Sequence, residues 1–571
     1  MPIKILSKET IAQIAAGEVV ERPASVVKEL VENALDAGSS RIEVEVRGGG
    51  VSLMRITDNG SGIHAGEVAL AFERHATSKI GGPGDLQRIG SLGFRGEALP
   101  SIVAVARVEV LTCTGEAAAG TLLNLEGGVA GSQQSRARAR GTTITVRDLF
   151  HRVPARLKFL KTAPTENSHI ANVASQYALA FPEVGFTLSV DGRVTLRTAG
   201  RGKLIDSVID VYGAAVAGKM LAVNSPDEGW QDGRDETAIR VAGMVGSPEV
   251  GRAGRGYLSF FVNRRWVTSR LLARAVEEAY HGLLMVGKHP VAVVNIFLPP
   301  DEVDVNIHPA KSEVKFQREQ DVFRAVQRVV RQALVAQMPV PKVGEPVPAY
   351  VSPPAPKLEL RLATDSAGRI NSLFEAATPL ALSLPVLRVV GQVLQSYIVA
   401  EGPDGIYVID QHAAHERIRF EQVIEQKSRR EIEVQGLLEP ATFEVSPRQD
   451  EMLQSCGEEL ADFGFSLEPF GARTYLVRAV PALVGREGWA EMLRELLDAL
   501  SGEVRSNWSE KILASVACHG AVRGGQALTD DEMRELVRNL ERASTPHTCP
   551  HGRPTMIHLS LKQLEKEFGR S

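Results

Sequence analysis

Between positions 410 and 421 the chain reads DQHAAHERIRFE, with two histidines, one aspartate and two glutamates in twelve residues. His412 and Glu416 are four apart, so a helix would put them on one face, where they could hold a divalent metal. The same residues could equally be the wet face of an ordinary helix. Two later stretches carry more metal-capable groups: ACHGAVRGG with Cys518, and HTCPHGRPT with Cys549 and His551. Mixed nitrogen, sulfur and oxygen donors suit zinc or manganese. The spacing is neither a repeated CxxC nor HExxH, so a turn with incidental ligands is the alternative.

A second group lies in the first 150 residues. In ELVENALDAG, Glu29 and Asn33 share one helical face. A carboxylate there can deprotonate a water, and an amide oxygen can ligate magnesium already crowded by phosphates. In DNGSG, Asp58 can accept from an amino group while Gly60 and Gly62 let backbone come close. In SLGFRGEALPSI, Gly93 and Gly96 flank Phe94 and Arg95 just before a helix, a setting for phosphate on backbone N–H groups. Each motif alone is also an ordinary turn or helix. GAAVAGKM, from Gly213 to Met220, almost spells a phosphate-binding loop, but Met220 stands where a hydroxyl must reach magnesium. It reads as a structural turn.

These residues need elements to position them. KELVENALDAG predicts a helix ending at Gly38, and RIEVEVRGG alternates like a strand. The first domain is expected over 1–205 and a second α/β unit over 206–336, with strands at YLSFFVNRRWV and PVAVVNIFLP. The Pro-rich stretch from Pro339 marks a linker over 337–385. A C-terminal body follows over 386–571, with strands at RVVGQVLQSYIVAEG and GIYVID and an inserted subdomain over 434–507. DQHAAHERIRFE therefore starts at a strand-to-helix junction.

Bulk properties fit a globular protein, with 44% hydrophobic and 23% charged residues and a net charge of −4. The mild charge neither demands nor excludes nucleic acid, because charge acts locally. One stretch is lopsided: Arg136, Arg138, Arg140, Arg147, Arg152, Arg156, Lys158 and Lys161 face Asp148 alone. It could meet phosphates or be a solvated basic face. The chain has no long apolar run and no apolar leader at its start, so no membrane partner and a cytoplasmic location are expected. Four cysteines in this length do not make a disulfide framework.

In their order, ELVENALDAG, DNGSG, FERHATSK and LGFRGEAL resemble the ATP-binding fold of gyrase B, Hsp90 and histidine kinases, and in their long forms the MutL family of DNA mismatch repair ATPases. A type II-like topoisomerase subunit shares the first two folds but fits the metal motifs poorly. The resemblance implies an α/β (α+β) fold: an N-terminal GHKL ATPase sandwich, a ribosomal-S5-like domain, and a C-terminal α+β dimerisation and endonuclease domain. It implies ATP and Mg2+, with Glu29 activating water and Asn33 on magnesium. Asp58, Gly62, Lys79, Gly93, Phe94, Arg95, Gly96 and Thr143 would bind ATP, with Thr142 also near the adenine, and Lys311 of HPAK would reach the γ-phosphate. ATP would order an N-terminal lid and close two arms of a homodimer.

NRR at 263–265 departs from the family's Asn-Gly-Arg. Arg265 matches an arginine associated with DNA, alongside Arg152, Arg156, Lys158 and Lys161, while Arg264 alters a turn or adds a phosphate contact. The C-terminal motifs, with FGR at 568–570, resemble the nicking endonucleases of the family. That implies Asp410 and Glu416 in catalysis, and Zn2+ or Mn2+ on His412, Glu416, Cys518, Cys549 and His551. His415, Arg417 and Arg419 would face water or DNA, and Glu421 has no specific role. QGLLEP resembles a sliding-clamp peptide through Gln435, Leu437, Leu438 and Pro440; a strand end running into a turn is the alternative. DNA, MutS and the clamp are the implied partners. The competing function is an ATP-dependent matchmaker without nuclease activity and with a structural metal site.

Overall fold

The computed structural model describes residues 20–82, 90–93, 96–225, 239–252, 254–281, 283–284, 288–304, 314–336, 384–429, 432–485, 488–500, 508–519, 527–550 and 553–568. The described chain is mixed α/β, as expected, and falls into two compact units. One joins residues 1–337 to 434–512, the other 338–433 to 513–571. Apart from Leu384 and Pro385, the expected linker lies outside the described residues, as do Phe94, Arg95, Lys311 and His551. No described helix is long and apolar enough to cross a membrane.

Helix α1 (Pro23–Asp36) opens the N-terminal body with proline in its first turn, where a missing N–H costs nothing. Its buried row is Val26, Val27, Leu30, Val31 and Ala34. It stops where Gly38 takes φ +70°, a left-handed position suited to glycine. Strand β1 (Arg41–Arg47) alternates exposed and buried residues, sending Ile42, Val44 and Val46 into the core. Around it run β2 (Leu53–Asp58), β3 (Arg107–Cys113), β4 (Gly120–Glu126), β5 (Val129–Ala130), β6 (Gln134–Arg136), β7 (Gly141–Arg147), β8 (Gly185–Val190) and β9 (Arg193–Arg197). The sheet order is β5-β4-β3-β7-β2-β1-β8-β9, with β6 on β4 and a parallel β1–β8 pair. Helices α2 (Ala98–Val105), α3 (Pro154–Leu157) and α4 (Ala163–Ala180) complete this body. On α4, the buried Tyr177 hydroxyl donates to the buried Glu32 carboxylate of α1. Burial and that carboxylate push the hydroxyl well above its ordinary range, so it stays a donor.

After α5 (Leu204–Tyr212) and α6 (Ala214–Ala217), the second domain holds β10 (Met220–Asn224), β11 (Arg240–Gly246), β12 (Leu258–Val262), β13 (Arg265–Val267) and β14 (Ala292–Phe297). Their order is β10-β11-β14-β12-β13, backed by α7 (Arg270–Ala279) and α8 (Glu319–Ala336), and a separate pair joins β15 (Val303–Asp304) to β16 (Lys315–Phe316). GAAVAGKM is α6 running into β10, a structural connection.

The second unit holds β17 (Arg388–Val393), β18 (Tyr397–Gly402), β19 (Gly405–Asp410) and β23 (Met556–Ser560) in one sheet of that order. It also holds α9 (Gln411–Arg429) and α13 (Asp530–Glu541), and α12 (Trp508–His519) ends in it. The segment after α9, expected as an inserted subdomain, holds β20 (Val434–Glu444), α10 (Pro447–Asp462), β21 (Ser466–Gly471), β22 (Thr474–Pro481) and α11 (Trp489–Leu500), and it packs in the first unit.

Tyr177→Phe removes a buried hydrogen bond to a buried carboxylate, and should cost about 1–3 kcal/mol. A urea titration followed by circular dichroism checks this; an unchanged midpoint would show that Glu32 does not depend on Tyr177.

Candidate functional site

The polar row of α1 faces a cavity of about 1150 Å³ lined by Glu29, Asn33, Asp58, Gly62, Lys79, Gly93 and Gly96, all expected from sequence. Asp36 lines it too, and sequence reasoning missed it although it completes the same helical row. Lys79 Nζ donates to Asn33 Oδ1 at 2.8 Å and to Asp36 Oδ2 at 2.5 Å. The N–H groups of Leu92 and Gly93 each donate to Asp36 at 2.9 Å. One carboxylate thus gathers the lysine and the loop that the sequence assigned to phosphates.

Asp58 closes β2. Burial lifts its carboxyl above the ordinary range, against the Gly60 N–H at 2.8 Å, the Ser39 hydroxyl at 3.2 Å and the Thr142 N–H at 3.3 Å. Gly62 has φ +75°, and a Cβ there would sit 2.1 Å from the Cys113 carbonyl. Thr142 and Ile144 line the cavity from β7. Thr143 does not: strand alternation turns it to the other face, where it bonds Thr57 at 3.0 Å and Arg138. Of the two threonines, Thr142 meets the cavity.

Arg265 also differs from expectation. It is 5% exposed and donates to the Leu92 carbonyl at 2.8 Å and the Ser91 carbonyl at 2.7 Å. It anchors the loop that Asp36 holds from its other side, rather than presenting a surface cation to DNA. Asn263 and Arg264, at φ +49° and +66°, form the two-residue turn between β12 and β13. Arg264 thus sits where the family's glycine relieves strain. It is tied down by the Ala180 carbonyl, a 2.5 Å ion pair to Glu183 and stacking over Phe181 at 4.1 Å. The extra arginine therefore binds protein. In the basic stretch, Arg152, Lys158 and Lys161 are exposed beside Phe159, which is 84% exposed. Arg156 is half-buried and donates to the Val20 carbonyl at 2.7 Å.

In the second unit, Asp410 Oδ1 accepts from the N–H groups of His412 at 2.9 Å and Ala413 at 3.1 Å, capping α9. One turn on, His412 Nε2 lies 3.3 Å from Glu416 Oε1, with Glu416 buried. Thr548 and Thr555, which flank CPHGRP, are held at this corner. Asp410 N–H donates to the Thr555 carbonyl at 2.9 Å, and Arg417 donates to the Thr548 carbonyl. Buried Cys549 follows Thr548. Arg417 therefore points inward, contrary to its expected exposure. His415 is half-buried, and burial, with Arg419 and His412 nearby, pushes it down to about 4. Glu421 acquires a place. Burial works to raise its carboxyl, but the N–H groups of Ser544 at 2.7 Å and Thr545 at 3.1 Å outweigh it and hold it below the ordinary range. It ties down the turn that leads to His547 and Cys549. Among the described residues no group of three or more His, Cys, Asp and Glu is arranged to hold a metal. The donor pair His412–Glu416 suits one, while His551 lies outside those residues.

Gln435 and Leu437 are half-buried on β20, and the register to β22 breaks between Gly436 and Ala441. Leu438, inside that bulge, is 87% exposed, with Glu439 and Pro440 also exposed.

Family comparisons match each region. Residues 18–147 match the histidine kinase-, DNA gyrase B- and HSP90-like ATPase family. Residues 208–335 match the DNA mismatch repair protein C-terminal domain, and 390–528 the MutL C-terminal dimerisation domain. A relative from Desulforudis audaxviator, described as DNA mismatch repair protein MutL, is 41% identical over 576 residues, covering 100% of this chain and 99% of its own. One from Methanothrix thermoacetophila, of the same description, is 40% identical over 573 residues with the same coverage. The solved Aquifex aeolicus MutL ATPase domain complexed with ADP is 27% identical with a TM-score of 0.37, over 49% of this chain and 94% of that one.

Gly62→Ala would drive a methyl into the Cys113 carbonyl and move the Asp58 loop. Titration with a fluorescent ATP analogue should show affinity reduced about tenfold or more; wild-type affinity would show that this loop does not shape the cavity.

Proposed function

The chain belongs to the MutL family of DNA mismatch repair proteins, with an ATPase domain and a C-terminal dimerisation domain, and on that premise we propose that it works as an ATP-gated homodimer that nicks DNA. The observation that carries the ATP half is the single cavity ringed by Glu29, Asn33, Asp58, Lys79 and Gly93. The Asp58 carboxylate accepts from the adenine amino group. Asn33 would hold magnesium through its amide oxygen, and the Gly93–Gly96 loop and Lys79 would take the phosphates. Entry of the phosphates requires Asp36 to release Lys79 and the Leu92 and Gly93 N–H groups. Glu29 accepts a proton from the attacking water, and Lys311 supplies positive charge as the γ-phosphoryl departs.

For the nuclease half, His412 and Glu416, with Cys518, Cys549 and His551, would hold zinc or manganese. A bound divalent ion would activate water and steady the charge of a cleaved phosphodiester. Asp410 fixes the start of α9 and adds negative charge beside that pair. Exposed Arg152, Lys158 and Lys161 meet the DNA backbone, with Phe159 available to stack on a base. MutS brings the dimer to a mismatch. Leu438 and its neighbours engage the sliding clamp, for which the outward bulge in β20 is the support. A second reading, a matchmaker without nuclease activity, draws on the absence of a three-ligand group among the described residues.

Glu29→Ala should keep ATP affinity within about threefold and lower turnover by roughly 10²–10⁴, the range for a lost general base; normal turnover rules out the assignment. Asp410→Asn keeps an oxygen able to cap α9 while removing the charge. It should abolish manganese-dependent nicking of supercoiled plasmid with ATPase activity intact. Wild-type nicking by that variant would leave the matchmaker reading. Sliding clamp added to the wild-type reaction should speed nicking, and an unchanged rate would remove the clamp from the scheme.

A further inference from the structure

We propose that residues 434–500 form a detachable cap on the ATPase body and the second domain, held at its seam by polar contacts and released without either part unfolding. The cap has its own interior, with Phe443, Met452, Leu460, Val477 and Leu493 buried among its sheet and two helices. The apolar cluster that fills the ATPase body takes in no described residue of the cap. Helix α10 packs along α4 outside that cluster, and charge and hydrogen bonds tie the seam. Arg193 on β9 donates to Asp450 at 2.7 Å and Glu451 at 3.2 Å at the start of α10. The Thr195 hydroxyl donates to Glu451 at 2.8 Å, and Gln449 donates to the Tyr257 hydroxyl at 2.7 Å. At a separate point Lys288 meets Glu491 at 2.8 Å and Glu495 at 2.5 Å on α11.

Ion pairs removed from water return much of their attraction as desolvation cost, so such a seam holds weakly for its area. The surface beneath points the same way. Ser175 and Gln176 of α4 look, with Arg448 and Asp498 of the cap, onto a cavity of about 330 Å³. Ser168, one heptad earlier, shares that helical face. Ser168 Oγ, Ser175 Oγ and Gln176 Oε1 are buried with no hydrogen-bond partner among the described residues. A helix face that stays covered favours apolar side chains. Polar atoms left unmatched there penalise the seated state and regain water on release. The partner this face fits is therefore the chain's own acidic segment, held reversibly. The cap's exposed Leu438 leaves the β20 bulge accessible while the cap is seated.

Carbodiimide joins a lysine to a carboxylate only where they touch, so it tests the seam in the full-length chain without nucleotide. A Lys288–Glu491 or Lys288–Glu495 cross-link is expected by mass spectrometry. Arg193→Glu, at the other contact point, should cut its yield at least fivefold, as should 0.5 M salt, with far-UV circular dichroism unchanged. No cross-link in the wild type overturns the proposal. A yield indifferent to both Arg193→Glu and salt also overturns it, because the cap would then be fixed. Mixing isotope-labelled and unlabelled protein identifies the donor: cross-links within one isotopic form support the proposal, and mixed ones overturn it in favour of a second copy's cap. None of these readouts involves ATP or DNA, so they stand or fall apart from the functional reading above.

Discussion

The Asp36 carboxylate is the constraint on which the nucleotide site depends. Its two oxygens take the Lys79 ammonium and the N–H groups of Leu92 and Gly93. Arg265 holds the carbonyls of Ser91 and Leu92 from the second domain. The same short loop is thus gripped by a helix of one domain and a strand of the next. Because a helix repeats every three or four residues, Asp36 can do this only while Glu29 and Asn33 share its row and Val27, Leu30 and Val31 fill the core. The Tyr177–Glu32 bond then fixes the rotation of α1 about its own axis.

The second unit solves a similar problem with different parts. A strand running straight into a helix leaves the first N–H groups of that helix unmatched. Asp410 satisfies two of them, which also fixes where His412 and Glu416 fall one turn later. Arg417 and Glu421, further along α9, hold the backbone at Thr548 and at Ser544–Thr545. One helix therefore carries the donor pair on one side and the struts of the Cys549 segment on another.

Much of this was legible from local pattern. The 3.6-residue period of KELVENALDAG, its glycine stop and the alternation of RIEVEVRGG gave α1 and β1, while the residues of the cavity came from the resemblance carried by the ordered motifs around Glu29, Asn33, Asp58 and Gly93. Where the reading went astray, tertiary information was missing. Thr142 and Thr143 are adjacent, and only strand parity in the folded sheet chooses between them. Arg265 and Arg417 look like surface cations because charge is usually solvated; their burial depends on carbonyls 173 and 131 residues away. Asp36 lay inside a recognised motif, yet no local signal tells a carboxylate to bind a loop more than fifty residues on.

The interrupted ladder in β20 bears on how this chain avoids unwanted company. In the order β20-β22-β21, β20 is an edge strand, and its eleven residues are long for one. A straight edge of that length offers a row of unpaired backbone groups to any extended neighbour. The register break between Gly436 and Ala441, with Pro440 inside it, bends that row and removes a donor. The irregularity that turns Leu438 outward therefore also spoils the strand as a template for edge-to-edge aggregation.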